Sequence, residues 1–173
     1  QVYADEVSPR TRAFIEARRP TGHAHGGEAG DFEEYTRLYR EAWSEPAVRW
    51  LLANVASTMS WDDHDVHDDW NISHAWLERM RTLPRWRERI AGAVMSYWLY
   101  QHLGNLSPAE LEADELLARV HASGDGAPLR AFARGIAEGG GGAWSCRREF
   151  GRTRLIVLDC RAGRVLAPGA RSM

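Results

Sequence analysis

The run Ser60–Trp76, SWDDHDVHDDWNISHAW, holds the residues best equipped for chemistry. Between Asp62 and Trp70 it carries five aspartates and two histidines. Carboxylate oxygens suit hard cations such as Ca, Mg, Mn and ferric iron, and imidazole adds affinity for Zn, Fe and Mn. Carboxylates packed this closely repel one another unless a counter-charge intervenes, and a bound cation supplies one. The spacing is not that of an EF-hand. Counting Asp63 as the first position, the sixth is Asp68 rather than Gly and the twelfth is His74 rather than Glu. No HExxH zinc motif occurs. The blander reading is a solvated loop, with Asp68 or Asp69 favoured by the positive end of the next helix and with Trp61 and Trp70 as core anchors. His67 shares the loop and is a candidate substrate or supporting residue, whereas His74 reads as part of a helix's first turn.

Such a loop needs rigid elements on both sides. VASTMSW, just before it, is β-branched and apolar enough for a strand, and ligands in open α/β sheets sit beyond the carboxyl ends of strands. Ser73 reads as the N-cap of HAWLERMRTL. Pro84 opens a helix running to about Leu103, where Trp86, Ile90, Val94, Trp98 and Gln101 recur every three or four residues and define a buried face. Upstream, residues 1–9 read as a loop, PRTRAFIEARR as a short helix and PTGHAHGGEAG as a glycine-rich linker. Asp31 caps a further helix with Glu34 as its capping-box partner, and Phe32, Tyr35, Leu38, Tyr39 and Ala42 keep a helical period. Another short helix follows, with Ser44 as its cap. Downstream, Ser107-Pro108-x-Glu110 marks a helix start extending to about His121. APLRAFARGIAE is a last helix, GGGG a linker without a Walker pattern, and AWSCRREF, GRT and RLIVLDC read as a β-hairpin or two sequential strands. The order predicts an α/β domain with a large helical insertion, helix-rich and with few strands.

Composition narrows the function. The chain has 173 residues, 44% hydrophobic and 27% charged, with a formal charge of −2. That is an ordinary globular balance, with no global basic signal for nucleic acid and no apolar run of the ~20 residues a membrane span requires. Arginine carries all the positive charge and lysine is absent. Cys146 and Cys160 read as buried free thiols rather than a disulfide framework. The chain opens on QVYADE without Met and closes after a strand-like run. The expectation is therefore one partial domain, residues 1–173, truncated at both ends, whose compartment cannot be read.

SWDDHDVHDDWNIS resembles the W/F-D-D-H-D/E signature of the alkaline phosphatase D, or PhoD-like, family of metallophosphoesterases, part of the calcineurin-like superfamily. QVYAD is similar to the end of the family's Gly-Asp-x-x-Tyr motif, and LIVLDCRAGRV to its later strand with Asp-x-Arg. The resemblance implies a β-sandwich flanked by helices, with a two- or three-metal site at the strand ends. It implies that Tyr3 and Asp63 are metal ligands, that His64 orients or protonates phosphate oxygens, and that Asp65 is the acidic partner holding His64. Asp159 and Arg161 are then structural or near-site, and Asp62 and His67 near-site. The implied cofactors are Fe and Ca, with Mn or Zn as alternatives. The implied reaction is hydrolysis of a small phosphomonoester or phosphodiester, by the intact protein rather than by this piece alone, since most of the ligand motifs lie outside it. The superfamily's Gly-His-x-His motif has a counterpart in TGHAHGG, but His23 and His25 come early in the chain and in a linker. The other reading is a non-catalytic helical interaction module with an acidic cation-binding loop.

Overall fold

The computed structural model describes residues 2–19, 27–138 and 144–169. Its centre is a helix, α5, Trp86–Tyr97, in which Arg89 and every residue from Ile90 to Tyr97 are buried. Such enclosure follows from IAGAVMSY, which is apolar or small all round and so lets neighbours close in on every side. α2 (Phe32–Ser44) lies along one flank, presenting buried Tyr35, Leu38 and Tyr39 from the face its period predicts. α9 (Ala127–Ala137) packs on another flank through Leu129 and Ala133. The approach to α2 is close enough to require glycine. A Cβ on Gly92 would lie 2.7 Å from the Asp31 carbonyl carbon and 2.8 Å from the Phe32 nitrogen, so any side chain would push two backbones apart.

The remaining helices surround this core. α1 (Pro9–Arg18) is capped by Ser8 with Pro9 in its first turn. α3 (Pro46–Asn54) buries no side chain. α4 (His74–Arg81) is capped by Ser73, as its sequence predicts. α5 does not simply run on to Leu103. It widens into a π-helical turn at Trp98–His102 and resumes as α6 (Leu103–Asn105). The Ser107 capping box forms as expected and starts α7 (Pro108–Ala113). The single helix predicted to His121 is broken there, because Asp114 turns extended and caps a new helix, α8 (Glu115–Ser123).

Two cap expectations are corrected. Glu34 does not complete a capping box with Asp31. Its carboxylate is buried, pairs with Arg19 and accepts the Gly30 N–H at 2.8 Å. Ser44 ends α2 rather than starting α3, whose cap is Glu45, accepting from the Val48 N–H at 3.0 Å.

The sheet among the described residues is one antiparallel hairpin, β1 (Cys146–Phe150) and β2 (Thr153–Val157), with Cys146 opposite Val157 and Phe150 opposite Thr153. The metallophosphoesterase sandwich is thus not present in the described residues, although a helix-rich chain with few strands is. VASTMSW forms no strand. No strand lies beside it among the described residues, and at Met59 a side chain takes that place: Asn105 accepts the Met59 N–H at 2.9 Å and donates to the Met59 carbonyl at 2.7 Å. The two cysteines are free, as expected, but not buried in the core: Cys146 is half-buried and Cys160 exposed. Part of the glycine-rich linker, with His23 and His25, and the GGGG run lie outside the described residues. No described helix is long and apolar enough to cross a membrane.

Candidate functional site

The acidic run folds as a tight 3-10 turn, Asp63–Asp65, capped by Asp62. Asp62 and Asp65 form a reciprocal capping box, in which the Asp65 carboxylate accepts the Asp62 N–H at 2.9 Å. The turn thus projects Asp63 and His64 from a closed hydrogen-bonded ring. Trp61 and Trp70 anchor it on either side, 2% and 5% exposed, with their rings edge to face at 5.3 Å. α5 holds it from below. Arg89 donates from Nε to the Val66 carbonyl at 2.8 Å, and Tyr97 packs against Trp61 and donates to the Met59 carbonyl at 3.3 Å.

His64 meets the N-terminal segment. The Ala4 N–H donates to the His64 carbonyl at 2.9 Å, and the Tyr3 ring lies 4.7 Å from the imidazole. The carboxylate at Nδ1 is that of Asp5, both oxygens at 3.1 Å. The same carboxylate accepts the Asp68 N–H at 2.5 Å. This geometry puts the proton on Nδ1 and leaves Nε2 toward the acidic loop, 3.7 Å from Asp68 Oδ1. Burial alone would lower the pKa of His64, but the hydrogen bond and charge of Asp5, joined by Asp63 and Asp68, outweigh it and raise the pKa.

The residue expected to hold His64, Asp65, points elsewhere. It is 2% exposed, and its other oxygen accepts from Gln101 Nε2 at 3.0 Å, with the Tyr39 hydroxyl at 3.5 Å. Adjacent residues on a tight turn diverge, so Asp65 points into the protein while His64 stays at the surface. Burial pushes the Asp65 pKa up to about 7, against the hydrogen bonds from Asp62 and Gln101. Burial and the Asp65 charge also raise the pKa of Tyr39, which keeps its phenol a neutral donor.

Asp63 is the hub of the carboxylates. Its Oδ2 accepts from Arg161 Nη2 at 2.8 Å and from the Asp69 N–H at 3.2 Å. The Arg161 Nε also lies 3.6 Å from Asp62. Asp159 builds the turn that delivers Arg161, accepting the N–H groups of Arg161 and Ala162 at 2.9 and 2.8 Å on one oxygen and that of Trp144 at 3.2 Å on the other. The far-separated Asp-x-Arg thus divides into a turn-former and a charge partner for the acidic loop. Asp69 adopts φ 61°, a left-handed backbone that Asp tolerates. Ligand oxygens of Asp63, Asp68 and Asp69 lie within 4.8 Å of one another, with Asp68 and Asp69 exposed. An all-oxygen set of this kind fits a hard cation. A cation bound there would share Asp63 with, or displace, the Arg161 guanidinium.

Tyr3, Asp63, His64, Asp62, Asp159 and Arg161 therefore converge on one region. His67 stands beside it: its Nδ1 donates to the Asp68 carbonyl at 2.8 Å and its ring packs on Trp76 at 5.9 Å. Asp5 was not anticipated. The available signal was its place two residues after Tyr3, in the segment already expected to reach the site.

The sequence model of one protein family, described as PhoD-like phosphatase, matches residues 1–165. No curated protein and no solved structure matches the chain. The match spans the N-terminal segment, the acidic turn and the Asp159–Arg161 turn, so that this chain belongs to the PhoD-like phosphatase family.

Proposed function

We propose that the chain carries the acid-loop half of the active site of a metal-dependent phosphoric ester hydrolase, acting on small phosphomonoesters or phosphodiesters. The observation that carries this reading is the Asp5–His64 pair set against the Asp63, Asp68 and Asp69 carboxylates. Asp63 would hold a cation with Asp68 and Asp69, and Tyr3 is the further candidate ligand. Iron and calcium are the ions that the family resemblance favours, with Mn or Zn as alternatives. When bound, such ions lower the pKa of a coordinated water and neutralise phosphate oxygens. Asp5 fixes the imidazole tautomer and supports its positive charge. His64 Nε2 lies on the side of the acidic loop and can deliver a proton to the leaving alkoxide. Arg161 balances the negative charge of Asp63 and offers guanidinium N–H donors next to where a phosphate would sit.

The test uses the full-length protein, with hydrolysis of p-nitrophenyl phosphate and bis-p-nitrophenyl phosphate and the bound metal measured together. His64→Ala is expected to lower turnover about 10²- to 10⁴-fold, the usual worth of a positioned acid, with metal content retained. Asp63→Ala is expected to lower both. Near-normal turnover in both variants would sink the assignment.

A second reading, a helical module whose acidic loop binds a cation without catalysis, draws support from the exposure of two of the three clustered carboxylates. It predicts metal binding without turnover in the wild-type protein.

A further inference from the structure

Gln101 is a polar residue in the middle of the core, 5% exposed. Helical periodicity places it on the buried face of its helix, and the functional reading above gives it no task. It sits in the π-helical turn Trp98–His102, a rare conformation that concentrates at functional sites. From there its Nε2 donates to Tyr39 Oη at 2.6 Å and to Asp65 Oδ1 at 3.0 Å. Asp65 uses its other oxygen to accept the Asp62 N–H and close the capping box. Gln101 therefore reaches, through one carboxylate, the turn that projects Asp63 and His64.

We infer that Gln101 is a positioning residue for the hydrolytic site, fixing the Asp62–Asp65 turn by orienting the Asp65 carboxylate. This rests on the phosphoesterase reading. A buried amide that donates to both neighbours locks their rotamers. Groups one step behind a reacting residue usually tune activity when they do so.

Exchanging the polarity of the pair tests it. Gln101→Glu alone removes the amide N–H that Asp65 accepts and puts a second carboxyl group in its place. Asp65→Asn alone sets amide N–H against amide N–H, or takes from Asp62 its acceptor. In the double variant the new amide at position 65 donates to the new carboxylate at position 101, while its oxygen still accepts from Asp62. Both bonds return and the formal charge is unchanged. The full-length proteins are assayed with bis-p-nitrophenyl phosphate, at temperatures well below each variant's measured Tm.

Each single variant is expected to lose about 10- to 100-fold in kcat, with a much smaller change in KM. The double variant is expected to recover to within about threefold of wild type, the signature of direct coupling. Single variants with lowered Tm but wild-type kcat would overturn the inference, since Gln101 would then only support the fold. So would a double variant no better than the poorer single. An inactive wild-type protein would instead remove the phosphoesterase reading, and the positioning role with it.

Discussion

Asp5 decides what His64 can do. The imidazole is partly buried, which works against its charge, and the Asp5 carboxylate reverses that effect. Replacing the carboxylate with an amide leaves the burial unopposed except by Asp63 and Asp68. In Asp5→Asn the His64 pKa is therefore expected to fall, and turnover to fall about 10- to 100-fold, the usual loss when the partner of a site residue is removed. NMR titration of the His64 ring checks the first statement and steady-state kinetics the second. A His64 titration identical to wild type would show that the charges of the loop itself sustain the proton. Most of the residues singled out in the sequence lie together in the structure, and one expected contact, Asp65 on His64, does not form. The types and spacing of Asp62, Asp63 and His64 mark them for chemistry, and the family resemblance singles out Asp159-x-Arg161. Which carboxylate faces His64 cannot be read from adjacency. A 3-10 turn sends neighbouring side chains in different directions, so Asp65 goes to the core and a residue 59 positions upstream takes its place.

At the scale of elements, α5 and its π-turn are the platform. Arg89 holds the Val66 carbonyl, Tyr97 and Asn105 hold the Met59 backbone, and Gln101 holds Asp65. These helices were legible because caps and apolar periods are local. Ser73, Ser107 and Asp31 all cap where their sequences indicate. Residues 56–60 were not legible as an unpaired segment, because a strand depends on a neighbour that local sequence does not specify. The π-turn likewise leaves no mark in a pattern of period 3.6. Two outcomes follow from the platform. Gly92→Ala places a carbon within 3 Å of the α2 backbone. It is expected to destabilise by roughly 1–3 kcal/mol, typical of overpacking, despite the better helix propensity of alanine. Asn105→Ala takes the side-chain partner from the Met59 N–H and leaves the Met59 carbonyl with Tyr97 alone, and is expected to cost about 1–3 kcal/mol. Denaturant unfolding of each variant measures both. An unchanged midpoint for Gly92→Ala would mean that α2 and α5 can separate without loss.

For the whole molecule, the acidic turn couples folding to pH. Asp65 holds its proton to about pH 7 when folded, against an ordinary value of 3.8. A group that binds its proton more tightly in the folded state contributes stability fully below its unfolded pKa and loses it as pH rises through the folded one. The contribution of Asp65 therefore disappears between about pH 4 and pH 7. His64 acts in the same direction from its ordinary value of 6.5 upward, because its folded pKa is also raised. His102 acts in the opposite direction: burial lowers its pKa and favours the folded state as the ring deprotonates. It offsets part of the fall around neutral pH, whereas the Asp65 contribution spans the whole range from about pH 4 to pH 7. The metal-stripped protein is thus expected to lose thermal stability as pH rises from 5 to 8. Asp65→Asn should flatten that fall by removing the titrating group, whatever its effect on the absolute Tm. If Asp63, Asp68 and Asp69 hold a cation as proposed, saturating Ca²⁺ should flatten it as well, because binding to ionised carboxylates would favour the folded state most where they carry full charge. Tm measured at each pH for wild type and Asp65→Asn, with and without Ca²⁺, separates the two effects. Parallel slopes in wild type and variant would place the pH dependence in groups other than Asp65.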